Sequence, residues 1–96
     1  MAEKKKNLSN SQGSIIQPLV NSHLAVITSE WNQDVTYSLR DACIAELKKY
    51  GCKDDEILSV TVPGAFELPS AAKMILANKK LDAVICLGCV IKGETK

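Results

Sequence analysis

The chain changes its hydrophobic period several times, and each change predicts an element. Positions 1–22 are polar and irregular, rich in Asn, Ser, Gln and Lys, and predict an extended arm. At Leu24 an unbroken apolar run begins, Leu24-Ala25-Val26-Ile27, bounded by His23 and Thr28-Ser29. A short branched run of that kind predicts a strand covered on both faces. From Asp34 to Tyr50 the spacing becomes helical. Val35, Leu39, Ala42, Cys43, Leu47 and Tyr50 form one stripe, expected to face the core, and Arg40, Asp41, Glu46, Lys48 and Lys49 form the other. Gly51 follows as a C-terminal helix stop. Residues 56–62 read as a second strand, ended by Pro63-Gly64. Leu68, Ala71, Ala72, Ile75 and Leu76 make a second helical stripe, with Pro69 in its first turn, where a missing N–H costs nothing. Residues 82–88 predict a third buried strand.

Strand, helix, strand, helix, strand is the start of a doubly wound α/β fold. Both connections are long enough for parallel pairing by right-handed crossovers, most simply in the spatial order 2-1-3. The expected architecture is a flavodoxin-like three-layer sandwich around a parallel sheet. Three strands and two helices make only half of such a sandwich, so the pattern also predicts a chain cut short before its fourth strand. Ligands of these folds bind beyond the carboxyl ends of the strands. Three unusual stretches follow those ends: 29–33, 63–69 and 88–96.

Composition narrows the classes. The chain is 46% hydrophobic and 24% charged with a net charge of +1, so nothing marks a nucleic-acid or anionic-membrane partner. Lys4-Lys5-Lys6 reads as a solvated tail. No apolar run nears the roughly 20 residues of a membrane helix, and no apolar segment follows the N-terminal lysines as in a secretory signal; the expected compartment is the cytoplasm. There the four cysteines, Cys43, Cys52, Cys86 and Cys89, are expected as free thiols. Cys86 and Cys89 form a C-x-x-C, but it straddles the end of an apolar strand rather than opening a helix, and His23 is the only histidine. The motif reads as structural, and no metal is expected.

Three features could carry chemistry. After Pro63-Gly64, residues 64–67 bring backbone N–H groups to the start of a helix, which suits polar or anionic ligand atoms. Glu67 could cap that helix or meet the ligand, and both roles are open. Trp31, on a loop beside Asn32, could cover the core or stack on a flat heterocycle. Gly93-Glu94-Thr95 could be an anion nest or an ordinary loop. There is no G-x-G-x-x-G after the first strand and no Walker-type lysine motif, which argues against dinucleotides and nucleoside triphosphates.

The blocks S-E-W-N-Q (29–33), V-P-G-A-F-E-L-P (62–69) and L-G-C-V-I-K-G-E-T (87–95), in this order and at this spacing, resemble the 6,7-dimethyl-8-ribityllumazine synthase family of riboflavin biosynthesis. The similarity runs over about residues 23–96. It implies an enzyme that condenses 5-amino-6-ribitylaminouracil with 3,4-dihydroxy-2-butanone 4-phosphate, releasing phosphate and water without metal or organic cofactor. By match to the family's blocks, Trp31 would stack on the ring, with Asn32 orienting the ring or the loop. Ala65, Phe66 and Glu67 would hold the ribityl chain, and Cys89, Val90 and Ile91 would border the ring. Glu94 and Thr95 would bind the phosphate.

The resemblance also implies homo-oligomers, pentamers or sixty-subunit shells, with sites between neighbouring subunits. The arm over 1–22 would add to a neighbour, and 23–96 would be the N-terminal portion of a single domain. The family's general acid/base His would follow Lys96, where this chain stops, so no catalytic residue is expected within it. His23 precedes the first strand, at the wrong end of the sheet to replace that histidine. An alternative expectation is therefore a catalytically incomplete fragment or a structural shell component. A flavin-binding or receiver-like domain is disfavoured, because only Glu30 is acidic after the first strand.

Overall fold

A computed structural model describes residues 18–93. The elements alternate as β1 (Leu24–Ser29), α1 (Gln33–Lys49), β2 (Ile57–Val62), α2 (Leu68–Asn78) and β3 (Ala83–Leu87), with single 3-10 turns at Asp54–Glu56 and Ala65–Glu67. The strands form one parallel sheet in the order β2-β1-β3. This is the expected open α/β sheet of a flavodoxin-like fold. The two crossovers run in opposite directions along the sheet, so right-handedness puts α1 and α2 on opposite faces.

The register is unbroken on both sides of β1. Leu24 faces Ile57 and Ala83, and Thr28 faces Thr61 and Leu87. Every residue of β1 is buried, and Ala25, Val26, Ile27, Thr28 and Ser29 are inaccessible to solvent. The continuous apolar run therefore reports a central strand, as expected. The arm predicted over 1–22 lies outside the described residues up to residue 17. Residues 18–22 are tied to the end of α1: the Leu19 N–H donates to the Tyr50 carbonyl at 2.6 Å, and the buried Cys52 thiol donates to the Ser22 carbonyl at 3.5 Å. Gly51 adopts φ 112, closed to other residues, and ends α1 as its position predicts.

Two expectations need correction. The α1 stripe is rotated from the one read in the sequence. Val35 and Leu39 are exposed, whereas Thr36 is fully buried and Cys43, Ile44 and Leu47 lie half-buried. The reason is the helix start. Asn32 begins α1 in the left-handed conformation, which aims the first turn so that Thr36 meets the sheet. Arg40, read as solvent-facing, is half-buried with its guanidinium 4.2 Å over the Tyr37 ring. β3 is likewise less buried than its composition suggested. Ala83 and Cys86 are exposed, because among the described residues β3 is an edge strand paired only to β1.

The buried thiol gives a pH dependence. Burial pushes Cys52 above the ordinary 9.0, and the carboxylates of Glu56 and Asp82 add to the shift. Above the ordinary value the unfolded thiol loses its proton while the folded one keeps it. Unfolding then releases protons, so this contribution is complete below that value and is lost as pH rises towards the folded one. Urea unfolding below and above the ordinary thiol value should show stability falling at the alkaline end. Cys52→Ala should reduce the slope without abolishing it, since burial raises Cys43 as well.

Candidate functional site

At the carboxyl ends of the strands the three loops meet. The first two are joined by backbone hydrogen bonds that continue the β1–β2 pairing past the sheet. The Glu30 N–H donates to the Val62 carbonyl at 2.7 Å, and the Trp31 N–H donates to the Pro63 carbonyl at 3.0 Å. The Thr61 hydroxyl donates to the Glu30 carboxylate at 3.3 Å. Asn32 then turns left-handed at φ 63, and its carbonyl accepts from the N–H groups of Val35 and Thr36 to open α1. The Trp31 backbone is therefore fixed while its indole stays 53% exposed. Among the described residues, then, Trp31 does not cover the core.

In the second loop Glu67 makes the bond of the capping reading: its carboxylate reaches back three residues to accept from the Gly64 N–H at 2.8 Å, while the Glu67 N–H donates to the Gly64 carbonyl at 3.2 Å, at the start of the turn that leads into α2. These reciprocal bonds close the Ala65–Glu67 turn. Pro69 lies in the first turn of α2, as predicted.

Gly88, not singled out in the sequence, determines how close the third loop comes. A Cβ there would meet Leu68 Cδ1 at 2.9 Å and Ala65 Cβ at 3.4 Å. Glycine thus lets the end of β3 drop onto the start of α2. Its position directly after an apolar strand was the available signal. Beyond it the Asn32 side-chain amide donates to Cys89 Sγ at 3.3 Å, linking the first loop to the third.

The result is a cleft of about 420 Å³ lined by Trp31, the 64–67 segment and Cys89, Val90 and Ile91. Seven of the residues nominated from sequence, Trp31, Ala65, Phe66, Glu67, Cys89, Val90 and Ile91, line it together. The eighth, Asn32, braces its wall through Cys89. Glu94 and Thr95 lie outside the described residues. Phe66 and Val90 are 94% and 84% exposed and form an apolar rim. Glu67 is the one charged lining residue, so the cleft is mostly apolar with a single carboxylate. A cavity of about 430 Å³ opens at the other end of the sheet between His23, residues 54–56 and residues 79–81. Its acidic and basic side chains are mostly exposed and offset one another. His23 is far from the cleft by topology, its N–H bonded to the Asp82 carboxylate at 2.8 Å. All four cysteines are free thiols, and the described residues contain no cluster of metal-ligating side chains.

A family model for 6,7-dimethyl-8-ribityllumazine synthase matches residues 21–96, which include every residue of the cleft. The chain belongs to the 6,7-dimethyl-8-ribityllumazine synthase family. It is 40% identical over 95 residues to the synthase of Phocaeicola vulgatus, covering 99% of this chain and 56% of that protein. It is 47% identical over 70 residues to that of Bacteroides fragilis, covering 73% of this chain and 49% of that protein. With the Cytophaga hutchinsonii synthase the identity is 40%, over 100% of this chain and 60% of that protein. The chain thus spans about half to three-fifths of the length of these curated relatives. Among the described residues no helix is long and apolar enough to cross a membrane.

The Gly64–Glu67 closure can be tested directly. Glu67→Ala should lower stability to urea by about 0.5–1.5 kcal/mol, the size of one exposed turn-closing bond. Glu67→Gln keeps a carbonyl acceptor and should stay within about 0.5 kcal/mol of the parent. Equal losses in both variants would show that charge, not the bond, holds the turn.

Proposed function

We propose that the cleft is the ring-binding part of a 6,7-dimethyl-8-ribityllumazine synthase site. The protein would condense 5-amino-6-ribitylaminouracil with 3,4-dihydroxy-2-butanone 4-phosphate, releasing phosphate and water, as a cytoplasmic step of riboflavin biosynthesis. The observation that carries this reading is the meeting of Trp31, the 64–67 segment and Cys89, Val90 and Ile91 around one apolar cleft. Trp31 stacks on the pyrimidine or lumazine ring, and Asn32 holds the loop that carries it. Ala65, Phe66 and Glu67 take the ribityl chain. Cys89, Val90 and Ile91 border the ring with backbone groups, and Glu94 and Thr95 bind the phosphate. Residues 23–96 form the N-terminal portion of one domain, and residues 1–22 form its arm.

Much of the chemistry asked of such a site is placement. Holding the amine of one substrate against the carbonyl of the other makes imine formation and ring closure intramolecular, an advantage of up to roughly 7–11 kcal/mol. A proton-transfer group is still required, and His23 is at the wrong end of the sheet to act as one. By resemblance to the family, the general acid/base would be a histidine that follows the position of Lys96. Phe66 and Val90 leave an exposed apolar rim that another surface could cover; by resemblance to the family, that surface belongs to a neighbouring copy in a homo-oligomer, a pentamer or a sixty-subunit shell, which completes the site. A second reading, a structural or incomplete chain, applies to residues 1–96 by themselves.

Full-length natural protein supplied with both substrates should form the lumazine, whereas residues 1–96 alone should not turn over. No product from the full-length protein would overturn the first reading, and turnover by residues 1–96 would overturn the second. For the site itself, titration of the full-length protein with 6,7-dimethyl-8-ribityllumazine should show Trp31→Ala weakening binding about tenfold, the scale of one lost stacking contact. Trp31→Phe keeps an aromatic face and should bind within a few-fold of the parent.

A further inference from the structure

We infer that Asn32 is a positioning residue that acts through Cys89: its side-chain amide clasps the thiol and so fixes the wall of the cleft opposite Trp31. The inference rests on the reading of the cleft as the ring site and adds a role for a residue that does not line it. Three observations carry it. First, the loops after β1 and β2 are stitched by backbone bonds at Glu30 and Trp31, but among the described residues the Asn32 amide to Cys89 Sγ, 3.3 Å, is the sole hydrogen bond between the β1 loop and the segment after β3. Second, the segment it holds is otherwise weakly anchored. Residues 88–93 belong to no regular element, and Val90 and Ile91 are exposed, yet Cys89, Val90 and Ile91 supply one side of the cleft. Third, Asn32 sits at φ 63 as the residue before α1, a conformation that asparagine tolerates better than most residues. Backbone and side chain therefore act at one point: the amide at the left-handed turn bonds Cys89 while the Asn32 carbonyl opens the helix.

Asn32 would then set the distance between the Trp31 face and the 89–91 wall, and with it the thickness of ring that the cleft accepts. A flat bicyclic ring needs walls spaced for van der Waals contact on both faces, and a wall left to wander loses that contact at little cost to folding. The amide–thiol bond is weak as hydrogen bonds go, so its worth is in removing alternatives for a segment outside the regular elements rather than in stability.

The test uses full-length protein and four variants. Asn32→Gly keeps the left-handed turn and removes the amide. Cys89→Ala removes the acceptor, and Cys89→Ser keeps one. The fourth combines Asn32→Gly with Cys89→Ala. Affinity for 6,7-dimethyl-8-ribityllumazine is read by equilibrium dialysis. Order in 88–93 is read independently by hydrogen exchange. Asn32→Gly and Cys89→Ala should each weaken binding about fivefold, the loss expected for one net hydrogen bond, and speed exchange across 88–93. The double variant should be no weaker than either single one, and Cys89→Ser should stay within about twofold of the parent. Loss in Asn32→Gly with parental affinity in Cys89→Ala would show that Asn32 meets the ligand itself, overturning the clasp. Unchanged affinity and exchange in both would also overturn it. A parent protein that binds no lumazine would overturn the cleft reading, and this inference with it.

Discussion

A strand can be wholly buried only if both of its hydrogen-bonding edges and both of its faces are occupied, and β1 meets that condition. β2 and β3 pair with it in register, and the two helices cover its faces. Every other feature depends on this. Because the strands are parallel and in register, their carboxyl ends arrive at one level, and the loops that follow cannot avoid one another. Because the β1–β2 ladder runs on into Glu30 and Trp31, the first loop leaves the sheet with its backbone already bonded. Trp31 is exposed but not loose, the combination that a stacking side chain requires.

The ligand end of β1 departs from a purely apolar core. Among the described residues the hydroxyls of Thr28, Ser29 and Thr36 are buried without a protein hydrogen-bond partner, and a buried hydroxyl left unpaired costs about 1–3 kcal/mol. The amino half of β1, Leu24 to Ile27, carries only apolar side chains. Stability is thus concentrated at one end of the strand and relaxed at the other, beneath the loops. Such local departures from packing rules collect where a fold also has to serve a site.

Most of the fold was legible because its signals are local. The run at Leu24, the Pro63-Gly64 stop, Gly51 and Pro69 each act through backbone geometry within a few residues, and they placed the elements to within a residue or two, although β1 runs on through Thr28 and Ser29. The face of α1 was not legible, because it is set by the left-handed turn at Asn32, and hydrophobic spacing cannot register a rotation of a stripe that holds Cys43 and Leu47 on either reading. The exposure of β3 was missed for a different reason: a strand rich in Val, Ile and Leu reads as buried whether or not a neighbour covers its second edge. At the site, the residues that line the cleft were legible as blocks. Of the bonds that shape it, the Glu67 to Gly64 cap was one of two open readings, because a carboxylate at that spacing can bond the backbone or meet a ligand; the Asn32 to Cys89 bond was not legible. The Asn32–Cys89 bond joins residues 57 apart in sequence, a separation that no local pattern reports.

The chemistry of the cleft follows from that division between rigid and braced parts. One wall, Trp31, is fixed by main-chain bonds that any residue at that position would make, so its side chain is free to be chosen for its ring. The floor, residues 64–67, is a turn closed on itself by Glu67, so the one charged group of the lining is already partly engaged before a ligand arrives. A carboxylate held in that way keeps its second oxygen as an acceptor without reorganising. The third wall is the least constrained, and it alone depends on a side-chain bond. A cleft built in this order presents a rigid stacking face and a preformed polar floor, and leaves its adjustable part where the ring must be enclosed. Binding energy is then spent on closing one short segment rather than on ordering three.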